Sequence, residues 1–248
     1  MLKAPNLSRY DWLAHGFGLR DSVYPEAVTT LKQIHSGLVL EAVPPGGDRF
    51  SEGDGLVTNT PGMLVGVRTA DCVPILIADD RTRAVASVHA GWRGTAQNIA
   101  GAAVRELITR FGSRAADLHA AVGPSIGPCC YEVGVEVARQ FDTPEPERGT
   151  AQGPRKIDLP GINEIQLRDA GVTDVWVARE CTFCESAKYY SFRREKEQAG
   201  RMMSFVGQIG NLRVGCQPAQ SRRLARPTSG SDLKAVSGGS AGDVRHKH

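Results

Sequence analysis

The chain has 248 residues, long enough to bury most of its unfolded surface without disulfide or metal staples. Its formal charge of +3 is concentrated at one end, where Arg222, Arg223, Arg226, Lys234, Arg245 and Lys247 oppose only Asp232 and Asp243. That surplus of four leaves the body near −1, which excludes the strongly basic face expected of a nucleic-acid or membrane-surface protein.

The opening Met1–Asn6 lacks the apolar stretch of a secretory signal, and no run approaches the roughly 20 apolar residues of a membrane span. The expected compartment is the reducing cytoplasm, where the six cysteines are buried, ligating or catalytic rather than bridged. Adjacent Cys129 and Cys130 would strain any bridge between them.

Taken in chain order, Pro44-Pro-Gly-Gly-Asp48 is a turn or loop. Residues 63–68, 74–78 and 84–89 are short β-rich runs, the last two joined by the turn Asp79-Asp-Arg-Thr82. Thr95 is placed to cap a helix in which Ile99, Ala103, Leu107 and Phe111 recur every four residues and Gly112 supplies the stop. Residues 118–122 are another strand, and 142–153 a polar excursion. A helix over about 161–170 leads through Gly171 into a strand over 174–178. From about Gln217 onward there is no apolar periodicity, so residues 1–214 are expected as one domain and 215–248 as a disordered basic tail. No internal repeat is present. Hairpin-like and crossover spacings both occur, which predicts a single α/β (α+β) domain.

Six histidines are available for chemistry: His15, His35, His89, His119, His246 and His248. Two lie in the tail, and His119 falls inside a strand, where a satisfied structural histidine is the simpler reading. His89 differs, because it ends an apolar strand and opens His89-Ala-Gly-Trp-Arg-Gly94, with glycines that let backbone approach a ligand. Cys72, in Arg68-Thr-Ala-Asp-Cys-Val-Pro74, sits at a connection between two strands. A thiolate with two imidazoles suits zinc, whose catalytic sites keep three protein ligands and one open position. His35 becomes the third ligand by elimination. The spacing alone is no metal motif, and a buried cysteine beside two structural histidines fits it too.

Five segments resemble, in order, the signatures of one family. They are Gln33-Ile-His-Ser-Gly37, Gly53-Asp-Gly-Leu-Val-Thr58, Arg68-Thr-Ala-Asp-Cys-Val-Pro74, His89-Ala-Gly-Trp-Arg-Gly94 and Gly123-Pro-Ser-Ile-Gly-Pro-Cys-Cys-Tyr-Glu-Val133. His15-Gly-Phe-Gly18, Cys181-Thr-Phe-Cys184 and Tyr190-Ser-Phe-Arg-Arg194 are similar to its terminal signatures. The family is that of the polyphenol oxidase/laccase-domain, or YfiH-type, proteins, known also for purine nucleoside phosphorylase activity. The resemblance implies a mixed α/β fold related to toxin and chemotaxis deamidases. It also implies a zinc ion on His35, Cys72 and His89. As activity it implies phosphorolysis of adenosine, inosine or methylthioadenosine, and deamination of adenosine. Some bacterial members are linked instead to peptidoglycan precursor editing. Only residues 19–32 separate the first signature from Gln33, shorter than usual for the family, so that part of the substrate wall is expected to be missing or rebuilt.

Within that frame Asp54 and Asp71 are candidates for proton transfer, with Asp71 equally suited to orienting a ligand. Arg93, at the helix expected from Thr95, is the first candidate for phosphate, and Arg68 the second. Tyr131 and Glu132 are candidates for substrate contact. The Cys181-x-x-Cys184 pair is expected to be buried thiols near the site, because a zinc half-site would need two further ligands. Two rivals use the same residues. One is an amide hydrolase with Cys72 as nucleophile and His89 as base. The other is a non-catalytic zinc-binding protein. A multicopper oxidase would need many more histidines.

Overall fold

The computed structural model describes residues 1–42, 44, 51–141 and 155–209, which fall within one unit spanning Met1–Leu212. Most of the loop at 44–48, the excursion at 142–153 and the basic tail lie outside the described residues.

The central layer is a mixed six-stranded sheet in the order Asp174–Val177, Leu118–Val122, Val73–Asp79, Val85–Ala90, Gly55–Thr58 and Val39–Glu41. Its two outer pairs are parallel and its inner pairs antiparallel. Val73–Asp79 is buried along its whole length, as a strand covered on both faces must be. The two-residue period then splits its side chains: Val73, Ile75 and Ile77 enter one apolar cluster, Leu76 and Ala78 the other.

The first cluster lies against the helices Ile99–Phe111 and Leu159–Asp169, through Ile99, Ala103, Leu107, Leu159 and Leu167. The second packs against a four-stranded sheet in the order Leu13–Phe17, Met202–Gln208, Leu64–Thr69 and Val28–Thr29, through Leu13, Phe17, Val65 and Val206. Helices, central sheet and second sheet therefore form three layers.

Along Val85–Ala90 the same alternation sends Ala86, Val88 and Ala90 toward the helices. Val85 faces the second sheet, and the period puts Ser87 and His89 on that face too. His89 thus reaches the end of its strand between the two sheets, pointing away from the helices.

Several helix boundaries differ from expectation. Thr95 is not a cap: it lies in a short helix, Trp92–Ala96, and its hydroxyl accepts from Asn163 Nδ2 at 3.0 Å. The long helix starts afterwards, capped by Asn98, whose left-handed backbone (φ 54°) turns its side chain onto the Gly101 amide. Gly112 ends it at φ 65°, as read from the sequence. The helix expected from 161 begins at Leu159, because Asp158 caps the Gly161 amide and Pro160 fits the first turn. His119 is satisfied on both nitrogens, by Tyr10 and Asp174.

His15 lies in Leu13–Phe17, only 2% exposed, with Nε2 accepting the Ala4 amide at 3.1 Å. Burial, and then the charge of Lys3, lower its pKa to about 4. The unfolded chain therefore binds more protons than the folded one between about pH 6.5 and 4. The stability His15 contributes is complete above that window and is lost as pH falls through it, by roughly 3 kcal/mol. Urea unfolding at pH 7 and pH 4.5 is expected to show His15→Gln losing less stability than the unmodified protein over that interval.

Candidate metal centre

Two loops and one strand end bring His35, Cys72 and His89 together. Their candidate ligand atoms all lie within 4.8 Å of one another. His35 sits at φ 60°, in a turn whose amides converge on one carboxylate, that of Asp54. Asp54 Oδ1 accepts from the His35 amide at 3.0 Å; Oδ2 accepts from the amides of Ile34 and Ser36 at 3.3 and 2.6 Å and from Ser36 Oγ at 2.8 Å. The same Oδ1 meets His89 Nδ1 at 2.8 Å. His89 N in turn donates to Asp54 O at 2.7 Å. One buried acid thereby fixes the His89 imidazole and the backbone turn that carries His35, and leaves His89 Nε2 for the thiol side.

Cys72 follows Asp71, which is held at φ 87°. The Asp71 carboxylate accepts from Thr182 Oγ1 at 2.7 Å, Ser191 Oγ at 3.1 Å and the Arg193 amide at 2.6 Å. These bonds tie the Cys72 turn to a segment more than a hundred residues later. Strained backbone at two adjoining site residues, supported by dense hydrogen bonding, is the pattern of a preorganised functional site. Opposite them, a Cβ at Gly91 would crowd two of the donors, at 3.1 Å from His35 Cδ2 and 3.2 Å from Cys72 Sγ. Glycine at 91 keeps open the space among the three donors.

The electrostatics favour a thiolate beside a protonated imidazole. Burial opposes ionisation of Cys72, but the charge of His89 and hydrogen bonds from His35 and His89 outweigh it and lower the thiol to about 6. Burial likewise opposes charge on His89, and Cys72 and Asp54 more than reverse that, raising its pKa. Asp54 is held near 2 because the bonds from His89 and Ser36 overcome its burial.

The trio opens onto a cavity of about 680 Å³, within the range of small-molecule sites. Trp92, Tyr131 and Phe192 give it aromatic walls, and Arg68, Arg193, Lys196 and Arg201 a cationic one. Arg68 and Lys196 have no carboxylate partner among the described residues.

The expected phosphate cradle at Arg93 is not part of this lining. Arg93 is in the first turn of Trp92–Ala96, exposed, with its guanidinium 4.3 Å from the Trp92 ring centre. Arg93 thus belongs to the short helix that precedes the long one, rather than to the N-terminus of the helix expected from Thr95. Arg68, the second candidate, does line the cavity, whereas Glu132 does not. Arg193, Lys196 and Arg201 were not legible as site residues; only the Tyr190-Ser-Phe-Arg-Arg194 signature pointed toward them.

Fold and site together define a mixed α/β protein with a compact N₂S donor set at the mouth of an aromatic, cationic cavity. The chain belongs to the multi-copper polyphenol oxidoreductase laccase family, which it matches over residues 13–208. It is 41% identical to a purine nucleoside phosphorylase of Deinococcus radiodurans, over 71% of this chain and 68% of that protein. It is 40% identical to adenosine deaminase RL5 from an unknown prokaryotic organism, over 62% of this chain and 61% of the relative. The crystal structure of YlmD from Geobacillus stearothermophilus superposes with a TM-score of 0.67 at 36% identity, covering 74% of each chain.

Replacing Asp54 by alanine strips the His35 turn of its acceptor and leaves a buried imidazole unpaired. Chemical denaturation of metal-free protein is expected to show Asp54→Ala destabilised by about 3–5 kcal/mol.

Proposed function

We propose that the chain is a zinc-dependent purine nucleoside enzyme that splits adenosine, inosine or methylthioadenosine with phosphate and deaminates adenosine. The observation that carries the reading is the convergence of His35, Cys72 and His89 at a cavity with both aromatic and cationic walls. The names of the relatives support the substrate class.

The donor set fits the metal. Two imidazoles and a thiolate suit zinc, their donor atoms lie within 4.8 Å of one another, and Asp54 holds His89 through Nδ1, which leaves Nε2 for the ion. Zinc so held supplies a Lewis acid that activates water or polarises a substrate oxygen at neutral pH. A multicopper centre fits poorly. Among the described residues the remaining histidines, His15 and His119, are engaged elsewhere.

The chain's own residues divide the work between them. Aromatic faces at Trp92, Tyr131 and Phe192 suit a purine ring. Burial raises Tyr131 to about 12, so its hydroxyl stays protonated and able to donate. Arg68, with Arg193, Lys196 and Arg201 near it, offers charge-assisted hydrogen bonds to phosphate. Phosphorolysis forms a bond from phosphate oxygen to the sugar C1′ and releases the base. Deamination adds water at C6 of adenine and releases ammonia. Asp54 and Asp71 act in this account as positioning residues, since their oxygens are taken up in holding the ligand turns.

One feature favours a second reading. The low thiol pKa of Cys72 beside His89 also suits a metal-free nucleophile attacking amide bonds, as in editing of a cell-wall precursor. A non-catalytic zinc protein is a third outcome.

Incubation of zinc-loaded protein with adenosine and phosphate is expected to yield adenine with ribose 1-phosphate, and inosine. Cys72→Ser should abolish turnover and the zinc held with His35 and His89, while Arg68→Ala should raise the KM for phosphate about tenfold with little change in kcat. Activity that persists without metal would overturn the zinc reading in favour of the thiol. Zinc binding without turnover of any of these nucleosides would overturn the substrate class.

A further inference from the structure

A second group of sulfur donors lies apart from the cavity. The thiols of Cys129, Cys130, Cys181 and Cys184 all lie within 4.8 Å of one another. Cys184 Sγ is 3.4 Å from Cys130 Sγ and 3.7 Å from Cys129 Sγ. Four thiolates around one zinc ion at 2.3 Å stand about 3.8 Å apart, the edge of the coordination tetrahedron. We propose that these four cysteines form a closed, structural zinc site that pins the turn after Gly127 to the turn after Cys181.

The two turns are built to meet. Ser125 pairs with Cys181 in a parallel bridge, and the Thr182 amide donates to Ser125 O at 3.0 Å. Cys130 and Tyr131 amides both donate to Gly127 O at 3.0 Å, which curls the first turn and presents both of its sulfurs. Cys181-x-x-Cys184 curls in the same way, with the Glu185 amide on Cys181 O at 3.0 Å, at a spacing suited to chelation. The Gly127 amide donates to Cys181 Sγ at 3.3 Å, the type of bond that stabilises a ligating thiolate. A disulfide would require only two of these sulfurs to approach. Gathering all four, with two of them exposed, serves a shared cation better.

Binding exchanges four thiol protons for one zinc ion and involves no oxidation or reduction. Its consequence is mechanical. Thr182, next to one ligand, holds the Asp71 carboxylate, and Tyr131, next to another, lines the cavity. The site thus braces the wall of the N₂S centre from behind, without sharing a ligand with it.

The test measures zinc per chain in full-length protein purified under reducing conditions and dialysed against trace zinc. Cys184→Ser and Cys130→Ser are each expected to lose one zinc relative to the unmodified protein, whatever the occupancy of the first centre. Cys72→Ser is expected to keep the tetrathiolate zinc, so failure of the first centre and failure of this site give different patterns. Should Cys184→Ser not fold, cobalt substitution of the unmodified protein reads the same question, through the charge-transfer bands of a tetrathiolate. Unchanged zinc in the folded serine variants, no tetrathiolate bands, or a Cys130–Cys184 disulfide in the reduced preparation would overturn the proposal.

Discussion

The buried carboxylate of Asp54 is the interaction on which the site depends. It is held near 2 and so remains charged at any physiological pH. A buried anion is costly unless its oxygens are filled. Here the backbone of residues 34–36 and the imidazole of His89 fill them, and in doing so bring a loop and a strand end to a common point. The left-handed backbone at His35 persists because that carboxylate makes three amides converge on it. Asp71 repeats the device on the other side, setting Cys72 against a segment from the far end of the fold.

The layers serve this arrangement. Val85–Ala90 is buried along its whole length, with Ala86 and Val88 packed toward the helices and Val85 toward the second sheet, and this packing positions His89. The face it occupies is the one toward the second sheet, where Leu64–Thr69 ends close to the Cys72 turn. Residues at and beyond those strand ends, among them Arg68, Cys72 and His89, line the cavity. Of the cationic residues that line it, Arg68 stands at the end of the strand Leu64–Thr69, Arg193 in the short helix Phe192–Glu195 and Lys196 in the helical turn that follows.

Much of this was legible in the chain. The strand at 118–122 and the glycine stop at 112 follow from local pattern, because burial period and left-handed φ are properties of neighbouring residues. Cys72 and His89 could be singled out by their positions at strand ends, whereas His35 stood on elimination and on resemblance. The helix start at Asn98 escaped because Thr95 satisfies the same capping rule, and only its burial against Asn163 decides between them. Arg193, Lys196 and Arg201 escaped because their place depends on the bond from the Arg193 amide to Asp71, across more than a hundred residues. The four-cysteine cluster escaped for the same reason. Its halves meet through the Ser125–Cys181 bridge, which no local period announces.

The central claim is that Asp54 organises a metal centre from behind, through His89 and the His35 turn, rather than moving protons. A competition titration of zinc affinity in Asp54→Asn tests it most directly. The amide keeps the volume and some of the acceptors but loses the charge that orients His89, so zinc is expected to bind about 10–100-fold more weakly in a protein that still folds. Zinc affinity equal to that of the unmodified protein would contradict the account.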